Sequence, residues 1–267
     1  LLMRLKTEHE QRVNIENMNQ QKINFFTYLV HDLKTPLTLI LSPLQRLIQQ
    51  PQISNNDKEK LEVIYRNANR MNYLINELLT FSKIEMKQMR ISVRKGDIMH
   101  FLEVLSHIFD IVAGEREIDF IVNLEDTEEE VWFSPSKLER ILYNLLSNAF
   151  KYTQPGGYVK LSAKLIKEEK ETFVQISVKD NGRATPKEAQ EQIFESYYQV
   201  EKRDHREGFG LGLSLTRSLI HMHKGEIRVE SEINKGSDFI VTLNVSEDAY
   251  NPDERTSENI TTEEIQK

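Results

Sequence analysis

Eight apolar residues between positions 23 and 47 recur at alternating intervals of three and four residues. They are Ile23, Phe26, Val30, Leu33, Leu37, Ile40, Leu44 and Leu47. Intervals that average 3.5 residues place all eight side chains on one stripe of a helix, as in coiled coils and helical bundles. The segment is therefore predicted to be a long helix with one apolar side.

A second helix with the same spacing is predicted after the turn-forming stretch "QQPQISNND". Its apolar residues are Leu61, Ile64, Ala68, Met71, Ile75 and Leu78. Two such helices joined by a short loop form a hairpin, predicted over residues 22–87. One hairpin cannot cover so wide an apolar stripe, so we expect two copies to pair as a four-helix bundle in a homodimer. Residues 1–21 are polar and are predicted to be an incoming signalling helix.

The pattern changes after Arg90, where strands and helices alternate irregularly. Residues 88–97 are predicted to be a linker, part of which could be a strand, and residues 98–246 a second domain. Within that domain we expect a helix over residues 136–152, a helix-rich stretch over 186–200 and a helix that ends at Gly225. The absence of regular strand–helix–strand alternation predicts an α+β sandwich with mixed strand pairing.

Composition limits the functional classes. The chain has no cysteine, so it offers neither a disulfide framework nor a thiolate site. Its net charge is −7, and residues 247–267, which carry seven acids against Arg255 and Lys267, supply most of it. This acidic tail is predicted to be a linker or a disordered end. No basic patch indicates nucleic-acid binding by this chain, and no apolar run reaches the roughly 18 residues of a membrane span.

His31 lies one position off the apolar seam, about 100° around the helix. This phase turns the side chain outward, together with Thr35 one turn later, and argues against a buried core histidine. Pro36 should bend the helix just beyond, and Asp32 could orient the imidazole so that its other nitrogen acts as a nucleophile. An ordinary surface histidine remains the alternative on this evidence alone.

The helix at 136–152 carries Asn144, Asn148 and Lys151 on one stripe. Carboxamide oxygens suit a hard cation such as Mg²⁺, and an ammonium suits a polyphosphate. A plain solvent-facing polar stripe is the alternative.

Two further motifs complete the candidate site. Asp180-Asn181-Gly182 ends an apolar strand, where a carboxylate could accept a hydrogen bond from an exocyclic amine such as that of adenine. An ordinary turn explains it equally well. The glycines of residues 208–213 open a helix whose backbone N–H groups could approach phosphate, and the polar stretch before them could form a mobile lid.

Five stretches resemble, in order, the H, N, G1, F and G2 boxes of sensor histidine kinases. They are "VHDLKTPL", "NLLSNAFKYT", "DNG", "IFESYYQV" and "GFGLGLSLTRSLI". The resemblance covers about residues 22–245. It implies a dimerising hairpin followed by a Bergerat (GHKL-type) sandwich that binds ATP with Mg²⁺. It also implies autophosphorylation and phosphoryl transfer to an aspartate of a response-regulator receiver domain. The first box is also similar to hybrid sensors, in which the receiver follows in the same polypeptide.

The resemblance implies a role for individual residues. His31 becomes the phospho-acceptor, Asp32 its acid–base partner, and Thr35 matches the position used in dephosphorylation. Asn144 and Asn148 become ligands of Mg²⁺ and phosphate. The other implied nucleotide-site residues are Lys151 on phosphate, Tyr152 packed on the nucleotide, Asp180 with Gly182 at the adenine, Phe194 as the lid's aromatic anchor, and Gly208, Gly210, Leu211 and Gly212 at the lid hinge.

One departure from the family pattern concerns Ala184, which stands where the first glycine box usually has its second glycine. Whether the backbone at the start of the lid has the freedom of glycine is therefore left open.

Two rival functions follow from the same superfamily: an ATPase, and a non-catalytic scaffold that binds nucleotide. ATPases carry a glutamate at the position of Asn144, and an amide cannot act as a general base, so hydrolysis by that route is disfavoured.

The resemblance further implies a cytoplasmic location, as the intracellular part of an inner-membrane sensor whose membrane segments would lie upstream.

Overall fold

The computed structural model describes residues 30, 33–50, 53–86, 88–127, 129–198, 210–233, 235–256 and 260. The chain divides into two compact units, Leu1–Met89 and Arg90–Lys267. His31, Asp32, Gly208 and residues 1–29 lie outside the described residues. The roles predicted for them therefore stay predictions.

The first unit is a helical hairpin. Helix α1 covers residues 33–48 and helix α2 covers Asn55–Glu85. Ser54 caps α2, since its hydroxyl oxygen accepts a hydrogen bond from the backbone N–H of Asp57 at 3.2 Å. A serine in this position satisfies one of the N–H groups that a helix start leaves without a partner.

Burial divides the predicted seam into two halves. Val30, Leu37 and Leu44 are buried, at 4%, 5% and 8% exposure. The three seam residues between and after them are 40–48% exposed: Leu33, Ile40 and Leu47. On α2, Ala68 is buried while Ile64 and Met71 are about half exposed. Each helix thus presents one apolar row to the hairpin and a second row to its outside.

The second unit is built on a five-stranded mixed sheet in the order β2-β4-β5-β7-β6. Strand β2 runs parallel to β4, and the other neighbours are antiparallel. A small two-stranded sheet pairs β1 with β3. The strands are β1 Arg94–Asp97, β2 Asp119–Leu124, β3 Glu130–Phe133, β4 Tyr158–Lys167, β5 Thr172–Asp180, β6 Glu226–Glu232 and β7 Gly236–Asn244.

Four helices contact the strands of this unit: α3 Ile98–Ser106, α4 Ile108–Arg116, α5 Pro135–Tyr152 and α6 Gly212–Met222. Helix α5 packs on β4 and β5, and α6 packs beside it on β6 and β7. The core between helices and sheet is closed, because Leu138 and Leu146 of α5 and Leu161 of β4 are all 0% exposed. The α+β sandwich predicted from the sequence is confirmed.

The helix-rich stretch predicted over residues 186–200 was wrong in type. Its described part contains two single 3₁₀ turns, Lys187–Ala189 and Gln192–Phe194. Pro186 precedes the first turn, and hydrogen bonds of the i to i+3 type close both. These turns bury Ala189, Ile193 and Phe194, although each turn is only three residues long. So short a segment suits a 3₁₀ turn and is too short for an α-helix.

The start of the predicted tail is folded onto the sandwich, so the prediction of a linker or disordered end was wrong for residues 247–256. Tyr250 is 2% exposed and packs with Ile91 and Val93. Its hydroxyl donates to the carbonyl oxygen of Asn244 at 2.5 Å. The N–H of Thr256 donates to the carbonyl oxygen of Val93 at 3.0 Å. The start of the tail therefore also binds the segment that was predicted to be a linker. Of that predicted linker, residues 94–97 form β1.

Among the described helices, none combines the length and the apolarity needed to cross a membrane.

Candidate functional site

Helix α5 carries four of the predicted site residues: Asn144, Asn148, Lys151 and Tyr152. One face of α5 supplies side chains to the core, and the adjacent face of the helix carries Asn144 and Asn148. Asn144 is 6% exposed, whereas Asn148 and Lys151 are half-buried. The plain solvent-facing stripe that we weighed as an alternative therefore does not describe Asn144.

Two acceptors hold the side-chain amide of Asn144. Its Nδ2 donates to the carbonyl oxygen of Gly212 at 2.8 Å and to the hydroxyl of Thr216 at 3.0 Å. A carbonyl oxygen can only accept, so the nitrogen must face α6 and Oδ1 must face the opposite side. Asn144 is thus tied to the first turn of the helix that follows the predicted lid.

Lys151 and Tyr152 close the end of α5. The Lys151 ammonium donates to the Tyr152 hydroxyl at 3.0 Å and lies 4.7 Å from the centre of its ring. The Tyr152 side chain is 38% exposed, and its carbonyl accepts the N–H of Arg183 at 3.1 Å. An exposed ring and an ammonium lie together beside the turn that follows β5.

The Asp180-Asn181-Gly182 turn is seated against α5. A Cβ on Gly182 would lie 2.3 Å from the carbonyl oxygen of Tyr152, so only glycine fits this approach. Asp180 Oδ1 accepts the N–H of Gly182 at 2.8 Å, and Asn181 Oδ1 accepts the N–H of Tyr158 at 2.7 Å. The tertiary fold thereby brings Asp180 and Tyr152, which are far apart in sequence, to one edge of the site.

Asp180 is a buried carboxyl, with 3% exposure. The pKa of Asp180 is raised to about 6, chiefly by burial, and the nearby charge of Asp238 acts in the same direction. Backbone N–H groups of Gly182 and Ser237 act in the opposite direction because they donate to the charged form. A buried carboxyl with a raised pKa is a candidate for hydrogen bonding to a ligand.

A backbone hydrogen bond joins Tyr197 and Gly210, which lie on either side of part of the predicted lid. The N–H of Tyr197 donates to the carbonyl of Gly210 at 3.0 Å. Gly210 has φ +70°, and a Cβ there would lie 2.7 Å from the carbonyl oxygen of Tyr198. Phe194 is 8% exposed and meets Phe239 edge to face at 6.4 Å. Leu211 is buried, and Gly212 begins α6.

Ala184 does not require the freedom of glycine in this conformation. The described non-glycine residues with positive φ are Glu117, Tyr197 and Lys224, and Ala184 is not among them. Its backbone therefore lies in a region open to any L-residue.

Sequence reasoning missed two buried groups around α6. Thr216 is 0% exposed and binds both Asn144 and Gly212. His223, at the end of α6, is also 0% exposed, and burial lowers its pKa to about 4. Its Nε2 accepts the N–H of Ser134 at 3.2 Å. The sequence carries no local signal for either role, because both partners come from α5 or the residue preceding it.

The described site suits a Mg²⁺–nucleotide more than a metal held by protein alone. Within the described residues, no group of three or more histidine, cysteine or acidic side chains could hold a metal ion. An amide oxygen with its nitrogen anchored is a single hard ligand, and phosphate oxygens and water can complete an octahedral shell. The donor set therefore fits Mg²⁺ delivered with a nucleotide.

Two family models match the chain. The His Kinase A (phospho-acceptor) domain matches residues 21–87, and the histidine kinase-, DNA gyrase B- and HSP90-like ATPase domain matches residues 133–247. The second unit is therefore an ATPase-type domain of this class, and the first is a phospho-acceptor hairpin.

Relatives with both regions are similar over most of the chain. Histidine kinase P4 of Formosa agariphila is 34% identical over 245 residues, which cover 90% of this chain and 18% of that protein. Hybrid signal transduction histidine kinase D of Dictyostelium discoideum is 30% identical over 232 residues, covering 86% and 15%. The crystal structure of full-length ShkA in complex with AMPPNP has the same fold, with a TM-score of 0.70 at 23% identity, covering 84% of this chain and 46% of that one.

The chain belongs to the sensor histidine kinases and carries the two domains of their core. It spans less than a fifth of the length of the two curated relatives.

Proposed function

We propose that this chain autophosphorylates on His31 with ATP and passes the phosphoryl group to an aspartate of a response-regulator receiver domain. The observation that carries the nucleotide half is the pair of buried polar side chains, Asn144 and Asp180, inside the domain that matches the ATPase model. The match of residues 21–87 to the phospho-acceptor model supports His31 as the acceptor.

In this proposal the second unit binds and orients ATP. The Asp180 carboxylate accepts from the adenine amine, and Tyr152 packs on the nucleotide. Asn144 and Asn148 turn amide oxygens toward the metal and phosphates, and Lys151 contributes positive charge. Mg²⁺, when bound, offsets the charge of the phosphate oxygens. The residues that shape the lid and its hinge are Phe194, Gly182, Gly208, Gly210, Leu211 and Gly212.

The chemical step takes place at the hairpin. One imidazole nitrogen of His31 attacks the γ-phosphorus, the N–P bond forms, and the bond from phosphorus to the β–γ bridging oxygen breaks to release ADP. Asp32 accepts a hydrogen bond from the other ring nitrogen and stabilises the imidazolium. The phosphoryl group then moves from nitrogen to the receiver carboxylate, and His31 is regenerated. Thr35, exposed on α1, occupies the position proposed for dephosphorylation.

A homodimer through the hairpin, and a receiver that follows in the same polypeptide, are parts of the same proposal. The exposed apolar row of α1 and α2 supports the first part. The similarity to a protein named as a hybrid histidine kinase supports the second. We further propose that the chain works on the cytoplasmic side of an inner-membrane sensor.

Incubation with γ-labelled ATP and Mg²⁺ tests the proposal. We expect an acid-labile, alkali-stable label on the protein that is absent in His31→Gln and retained in His107→Gln, a matched variant of an exposed histidine. Steady phosphate release without protein label would instead indicate the ATPase function. Nucleotide binding with neither label nor release would indicate the scaffold.

A further inference from the structure

A buried triangle of hydrogen bonds joins the candidate metal ligand to the helix that follows the lid. Asn144 Nδ2 donates to Gly212 O and to Thr216 Oγ1, and the Thr216 hydroxyl donates to Gly212 O at 2.9 Å. Thr216 is 0% exposed and lies on α6, whereas Asn144 lies on α5.

The triangle places three hydrogens on two acceptor atoms. The two hydrogens of the Asn144 amide go to Gly212 O and Thr216 Oγ1, one to each, and Gly212 O also accepts the hydrogen of the Thr216 hydroxyl. The Thr216 hydroxyl donates its single hydrogen to Gly212 O. The lone pairs of Thr216 Oγ1 therefore face the Asn144 amide. No other rotation of the amide satisfies the buried Nδ2 hydrogens, since a flipped Oδ1 would face the carbonyl oxygen of Gly212.

We propose that Thr216 is a positioning residue for the Mg²⁺–nucleotide. Its hydroxyl locks the Asn144 amide with the nitrogen toward α6 and the oxygen toward the metal. This inference rests on the proposed function, in which Asn144 Oδ1 is a metal ligand. Partners behind a metal ligand commonly change metal affinity by 10- to 100-fold when they are removed.

The triangle also reaches the first turn of α6. Gly212 is the first residue of α6, and Gly210, two residues before it, accepts the N–H of Tyr197 through its carbonyl oxygen. A shift of this turn would therefore move an acceptor of the Asn144 amide.

Calorimetric titration of ADP into the full chain, with and without Mg²⁺, tests the proposal. Thr216→Val removes the hydroxyl and keeps the shape. We expect it to need about tenfold more Mg²⁺ to reach tight ADP binding, with an unchanged affinity for ADP in excess EDTA. Thr216→Ser keeps the hydroxyl and should keep the Mg²⁺ dependence of the unmodified chain.

Three results would overturn the proposal: an unchanged Mg²⁺ requirement in Thr216→Val, an equal rise in Thr216→Val and Thr216→Ser, or an equal loss of ADP affinity with and without Mg²⁺. If Thr216→Val does not fold, Thr216→Ala against Thr216→Ser makes the same comparison, since both lack the methyl group. Failure of the nucleotide-binding part of the proposed function, on which this inference rests, is distinguishable, because the unmodified chain would then bind no ADP or show no Mg²⁺ dependence.

Discussion

The hairpin and the sandwich domain each contain a surface that needs a partner, but the two surfaces differ in kind. The hairpin has an apolar row, in which Ile40 and Met71 are 48% and 55% exposed. The sandwich has a closed apolar core, and the candidate-site side chains that it buries, Asn144 and Asp180, are polar. An exposed apolar row favours a protein partner, whereas buried amide and carboxyl groups favour a polar ligand.

The largest expected effect comes from placing a charge on the hairpin's outer row. Burying Ile40 in both copies of a dimer is worth about 3–6 kcal/mol, so Ile40→Glu should weaken the dimer at least about 100-fold. Sedimentation equilibrium measures this dissociation constant.

Leu39→Glu is the matched control, since Leu39 is the neighbouring residue, is 71% exposed and lies off the seam. It should dimerise like the unmodified chain. Equal dissociation constants for Ile40→Glu and the unmodified chain would place the partner surface elsewhere.

A cavity in the sandwich core should destabilise that domain and leave the dimer intact. Leu146 is 0% exposed, and Leu146→Ala is expected to cost about 2–5 kcal/mol of unfolding free energy. Urea denaturation followed by fluorescence measures the loss in this domain alone, because Trp132 is the chain's only tryptophan and belongs to β3.

The exposed Ser147 on the same helix provides the comparison variant. Ser147→Ala should stay within about 0.5 kcal/mol of the unmodified domain. A dimer dissociation constant that changed along with stability in Leu146→Ala would contradict the independence of the two regions.

The smallest expected effect is the pH dependence of nucleotide binding. The pKa of Asp180 is raised to about 6, so the carboxylate that we propose accepts a hydrogen bond from adenine is ionised above that pH and protonated below it. ADP affinity should therefore fall, about tenfold per pH unit at most, as the pH drops through this region. Fluorescence titration with an ADP analogue across pH measures the profile.

Two variants separate this cause from general acid effects. Asp180→Asn should bind weakly with a flat profile. Asp238→Asn should keep tight binding and move the midpoint to lower pH, because the charge of Asp238 raises the pKa of Asp180. A sloping profile in Asp180→Asn would assign the titration to another group.

The sequence by itself determined the features that depend on intervals along the chain. The 3.5-residue seam predicted the helical hairpin. A helix was predicted over residues 136–152, where α5 lies, and an apolar strand was predicted before Asp180, where β5 lies. A helix or strand repeats its environment at a constant interval, so the order of residues records which side is buried.

The tertiary structure alone decided the features that depend on contacts distant in sequence. Asn144 and Thr216 are 72 positions apart, and only the packing of α5 against α6 brings them together. The burial that makes His223 neutral, and the docking of Tyr250 that folds the start of the acidic tail, also come from distant segments. Hydrogen bonds to backbone groups of other segments make the burial of Asn144, His223 and Tyr250 favourable.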